Sequence, residues 1–156
     1  MTAQIIARKH VPGGSSVSSG QIVLDYEVRF LRRKVLTTDR GEAVLVDLAQ
    51  TTSLDHGDAL ELEDGRSISI VAAPEPLYAV TGEDLAKLAW HIGNRHTPCQ
   101  IEADRLLIQQ DKVIGHMLEH LGATLAEVTE PFTPEGGAYG HGRTHSHEHG
   151  ATAHAH

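Results

Sequence analysis

The sequence predicts an α+β protein in three parts: a small all-β domain over residues 1–73, a ββ-rich βαββαβ domain over 76–139, and a flexible histidine-rich tail over 140–156. Three observations carry this division. Short apolar segments punctuated by turn residues fill the first half, apolar stripes with helical spacing appear only in the second, and six of the twelve histidines crowd into the last sixteen residues.

In the first part, residues 22–24, 28–31, 43–48, 59–62 and 67–71 read as short strands, with Gly41, Gly57 and the Asp64-Gly65 pair as breaks between them. Asp64-Gly65 stands between L-E-L and S-I-S-I-V, which points to a hairpin with a type I′ turn, since that turn needs φ > 0 at both central residues. Pro74-Glu75-Pro76 reads as a stiff linker.

Beyond it, Leu85, Leu88, Ala89 and Ile92 recur at i, i+3, i+4 and i+7, the spacing of one helix face. Thr81 and Asp84 resemble a capping box, and Gly93 is the expected left-handed stop. Ile114, Met117, Leu118 and Leu121 form a second stripe behind Asp111 as N-cap, closed by Gly122. Short apolar segments at 77–80, 100–103, 105–108 and 124–128 complete the order β-α-β-β-α-β, the ferredoxin-like arrangement with both helices on one face of an antiparallel sheet. From Gly136 onward Gly, His, Thr, Ser and Ala predominate without periodicity, which predicts a segment unable to repay the entropy of ordering.

Composition excludes several functions. A net charge of −8 and 4% aromatic residues argue against nucleic acid, which needs a positive footprint and stacking platforms. No apolar run approaches bilayer thickness and the first residues lack the apolar core of a signal peptide, so a cytoplasmic protein without membrane contact is expected. A single cysteine, Cys99, makes no intramolecular disulfide. No nucleophile elbow, P-loop or dinucleotide fingerprint is present, and the carboxylates fall in no catalytic pattern, so no enzymatic activity is expected.

The histidines carry the chemistry. The tail holds His141, His145, His147, His149, His154 and His156, and its H-x-H-x-H run puts three imidazoles within reach of one ion. Neutral imidazole suits nickel, zinc and copper, so the run specifies metal without choosing which. Unlike a purification tag, it is interrupted by Arg143, Ser146 and Glu148. His91 and His96 flank the end of the first helix, where a solvated histidine or dipole partner is the plainer reading. His116 and His120, spaced i, i+4 on the second helix, could clamp a metal, although the glutamate of H-E-x-x-H is absent and a solvated face is the plainer reading. Cys99 reads as a small buried thiol.

Longer patterns then join up: G-N-R-H-x-P over 93–98, D-x-V-I-x-x-M-L-x-x-L-G over 111–122, P-F-x-P-E-x-G-A-Y-G-H-G-R over 131–143, and, earlier, R-F-L-R-R over 29–33, A-V-L-V-D-L over 43–48 and G-D-x-L over 57–60. Together they resemble the UreE family of urease accessory proteins across nearly the whole chain. The resemblance implies a homodimeric nickel metallochaperone with a partner-binding all-β domain, cargo for urease maturation, and the accessory GTPase UreG and the urease apoprotein complex as partners. It implies that His96 from two subunits meets on one Ni²⁺, with tail histidines completing the shell. His145 and His147 are the favoured pair, His141 and His149 the alternatives, and His91 an accessory; zinc or copper would compete for the same ligands. Where some members carry two further histidines before the second helix, this chain has Gln110 and Lys112. The rival readings are a histidine-rich nickel or zinc buffer with no delivery role and, more remotely, a metal-dependent hydrolase.

Overall fold

The computed structural model describes residues 5–14 and 18–136, and these divide into two compact units after Glu75. The first unit is a six-stranded mixed sheet. In chain order its strands are β1 (Ile5–Val11), β2 (Gln21–Leu24), β3 (Phe30–Thr37), β4 (Ala43–Ser53), β5 (Ala59–Leu62) and β6 (Ser67–Ala72), and in space they run β2-β6-β5-β1-β4-β3. The β1–β4 and β2–β6 pairs are parallel and the others antiparallel. Along β4 the period of two is clean, with Val44, Val46 and Leu48 buried between less buried neighbours. They pack with Ala7, Ile22, Leu36, Leu60, Ile68 and Ile70 into one apolar core.

Three sequence expectations need correction in this region. β1 was not expected, yet it lies at the centre of the sheet; a register shift between Ala7 and Lys9, followed by Lys9 and His10, breaks the alternation that would have marked it. The strand expected from Val28 begins only at Phe30. Asp25 takes the preceding residues into a turn, its carboxylate accepting from the Val28 amide at 3.0 Å and its carbonyl from the Arg29 amide at 3.1 Å. At Asp64-Gly65 only Gly65 has positive φ, at 92°, and its amide donates to Leu62 O at 2.9 Å. The connection is therefore a type I turn closed by a left-handed glycine, not type I′. The expected linker Pro74-Glu75-Pro76 does lie at the boundary between the two units, and its residues are extended and open β7 (Pro74–Thr81), a strand position where a missing N–H is tolerated.

The second unit contains β7, α1 (Leu85–Asn94), β8 (Gln100–Ile101), β9 (Leu106–Gln109), α2 (Lys112–His120) and β10 (Thr124–Pro131). Its sheet order β10-β7-β9-β8 is that of the ferredoxin-like fold, with β7–β9 and β9–β8 antiparallel. Leu88 and Ile92 of α1 and Ile114 and Leu118 of α2 bury against Val80, Leu106 and Ile108 of the sheet. Gly115 lets α2 lie close, because a Cβ there would meet Leu125 Cδ1 at 3.1 Å and Tyr78 Cε2 at 3.3 Å. Asp111 caps α2 as expected, accepting from the amides of Val113 and Ile114. At α1 the cap is Asp84 itself, which accepts from Lys87 N at 3.1 Å, while Thr81 belongs to β7. Among the described residues no helix is long and apolar enough to cross a membrane.

Candidate metal centre

The two helices end in the same hydrogen-bonded motif with different residues at its critical position. In α2, Gly122 takes φ 94°, its amide donates to Glu119 O at 3.0 Å, and the Ala123 amide donates to Leu118 O at 2.9 Å. These are the two bonds of a Schellman motif, in which a left-handed residue reverses the chain and satisfies the last carbonyls. In α1 the helix runs through Gly93 and Asn94, and the left-handed residue is His96, at φ 55°. Its amide donates to Gly93 O at 2.9 Å and the Thr97 amide to Ile92 O at 3.2 Å. The expected stop at Gly93 is thus displaced by three residues onto a histidine. Histidine tolerates the left-handed region better than branched residues, but a side chain there still costs about 1–3 kcal/mol. His96 is exposed, and the α1 carbonyls around it form the negative end of the helix dipole, which favours a cation.

The chain after β10 returns to this corner. Arg105 grips Glu130 with both guanidinium arms, Nη2 to Oε1 at 2.6 Å and Nη1 to Oε2 at 3.0 Å, and that contact holds the Glu130 carboxyl below its ordinary range. Phe132 is fully buried. The Thr133 amide then donates to Gln100 Oε1 at 2.8 Å, and the Glu135 amide to Cys99 O at 2.9 Å. The last described residues are therefore fastened beside the segment that follows His96. In the sequence Phe132 and Glu135 appear only as letters of a longer motif and Gln100 only as the start of a strand; the apolar Phe132 in an otherwise polar stretch was the available signal.

His91 is half-buried in the last turn of α1, its ring edge-on to Trp90 at 5.0 Å between centroids and 87° between planes. Trp90 is 63% exposed. Burial, and next the Glu135 charge, push the Cys99 thiol up to about 11, so the metal-free chain carries it as a thiol at neutral pH. His116 and His120 are exposed on α2. Among the described residues no three His, Cys, Asp or Glu side chains gather into a set able to hold a metal. His141, His145, His147 and His149 lie outside the described residues, as does the expected flexibility of the tail.

Residues 75–156 match the model of the UreE urease accessory protein C-terminal domain, and residues 3–73 that of its N-terminal domain. The chain is 66% identical over 137 residues to a urease accessory protein UreE of Ruegeria pomeroyi, covering 88% of this chain and 92% of that one. It is 64% identical over 147 residues to the UreE of a second Ruegeria strain, covering 93% and 84%, and 56% identical over 138 residues to that of Rhodobacter capsulatus, covering 88% of each. With both halves matched and relatives this similar along most of their length, the chain belongs to the UreE family of urease accessory proteins.

Proposed function

We propose that this urease accessory protein is a nickel carrier: a cytoplasmic homodimer in which His96 of each chain binds one Ni²⁺, tail histidines close the shell, and the accessory GTPase UreG receives the ion for urease assembly. The observation that carries the reading is the fastening of Thr133 and Glu135 to Gln100 and Cys99, next to His96. His145 is ten residues beyond Glu135, a length of chain that spans up to about 35 Å when extended. A tail rooted there reaches an ion at His96 at high effective concentration.

The chemistry suits transfer. A single His96 is a weak ligand; two of them leave coordination positions open, and tail imidazoles would fill those positions and withdraw again. Nickel accepts imidazole readily, and the ligands bind only when neutral, so loading should fall away below about pH 6. No step requires bond making in a substrate, so the protein would act without catalysis.

Calorimetric titration of nickel into the full chain and into His96→Ala, with the mass in solution followed in parallel, tests the reading. The carrier requires a tightest site of one ion per two chains that disappears in His96→Ala while weaker tail binding persists. An unchanged tightest site would make His96 an ordinary surface histidine and the protein a histidine-rich buffer.

A further inference from the structure

Helix α2 carries a second pair of imidazoles that the carrier site does not use. His116 and His120 are one turn apart, and both are exposed. Neither makes a side-chain hydrogen bond or ion pair among the described residues, whereas Asp111 at one end and Gly122 at the other hold the helix in place. Residues at i and i+4 have Cβ atoms about 5–6 Å apart on one face, within the span of two imidazoles sharing an ion at about 2.1 Å from each nitrogen. The helix is already formed and packed through Ile114 and Leu118, so capture of an ion orders only two side chains.

The surroundings favour a cation. A groove of about 300 Å³ opens beside His116, lined also by Tyr78 of β7, by two carboxylate residues, Glu119 and Glu127, and by one cationic residue, Lys112. α1 follows β7 and α2 follows the antiparallel β9, so the helices run in opposite directions, and His120, in the last turn of α2, lies toward the other end of the sheet from His96, which follows the last turn of α1.

We infer that His116 and His120 form a second divalent-cation clamp on the outer face of α2, separate from the His96 centre. Two protein nitrogens hold the ion and water fills the remaining positions, consistent with the absence of a three-donor set there among the described residues. Borderline ions that favour imidazole, zinc, nickel and copper, are the ligands. So open a shell gives weak, rapidly exchanging binding, suited to taking up ions in passing.

The test uses the full chain carrying His96→Ala and zinc as a diamagnetic probe, with the imidazole C–H resonances followed by NMR. In the parent the rings of His116 and His120 shift together along one zinc isotherm. In His116→Gln the ring of His120 needs about tenfold more zinc to shift, and His120→Gln does the same to His116, because each has lost a tethered co-ligand. Both substitutions are at exposed helix positions, and unchanged methyl signals of Leu118 confirm the fold. If the surviving ring titrates at the parent's zinc concentration, or if neither ring shifts at millimolar zinc, the clamp does not exist. The result is independent of the carrier reading, because the tight nickel site has already been removed.

Discussion

The amide of Glu135 donates to the carbonyl of Cys99 at 2.9 Å, and this bond brings the root of the histidine tail to within three residues of His96 along the chain. It joins two segments 36 positions apart in sequence, and with the Thr133–Gln100 bond it holds the last described residues beside the segment that follows His96.

Untying that root should weaken nickel binding. Glu135→Pro removes the donor at a cost of about 1 kcal/mol, and Gln100→Ala removes the acceptor used by Thr133. Each should lower the nickel affinity of the full chain about threefold to tenfold by diluting the tail around His96. Equal affinity in calorimetry would show that the root has no part in capture.

The left-handed conformation at His96 sets stability against the proposed nickel binding. His96→Gly removes the side-chain penalty at φ 55° and should stabilise the protein by about 1 kcal/mol relative to His96→Ala in urea unfolding, while both lose the tightest nickel site. If His96→Ala is the more stable of the two, the motif carries no strain.

Asp58 should govern acid stability of the first unit. Burial, the largest influence, raises its pKa, but hydrogen bonds from the His10 ring at 2.6 Å and from the amides of Gly13 and Asp55 at 2.9 Å, together with the charge of His10, outweigh it and leave the pKa below the ordinary 3.8. A carboxyl depressed in the folded state contributes stability that is complete above its unfolded value and is lost as pH falls through the folded value. Unfolding free energy should therefore drop below about pH 3.8, and the slope there should be shallower in Asp58→Asn. Identical acid profiles would refute this.

The Cys99 thiol, pushed up to about 11, should alkylate slowly at pH 8 and faster by about tenfold for each pH unit up to its pKa, whereas the denatured chain reacts readily at pH 8. Cys99→Ser should leave nickel stoichiometry unchanged. A lost ion in that variant would make the sulfur a ligand after all.

Both helices were legible because an apolar stripe at 3.6-residue spacing is a local pattern, and the order of elements around them was enough to indicate the ferredoxin-like sheet. β1 was not legible, since the irregularity after Ala7 erased the period of two on which strand recognition depends. The turn at Asp25 escaped for a related reason: a carboxylate and a carbonyl of one residue overrode the apolar character of the residues after it.

At the proposed metal centre the sequence supplies the type of chemistry proposed, because neutral imidazole is a good ligand for borderline metal ions and six of the twelve histidines crowd into the last sixteen residues. Placement was decided in three dimensions. The end of α1 depends on which residue's amide reaches the carbonyls of Ile92 and Gly93, and packing of Leu88 and Ile92 carries the helix past the glycine that would otherwise stop it, so that the left-handed turn falls on His96. The root of the tail depends on bonds between Thr133 and Gln100 and between Glu135 and Cys99, which local sequence cannot encode because each partner is more than thirty residues from the other and is brought near only when the sheet closes.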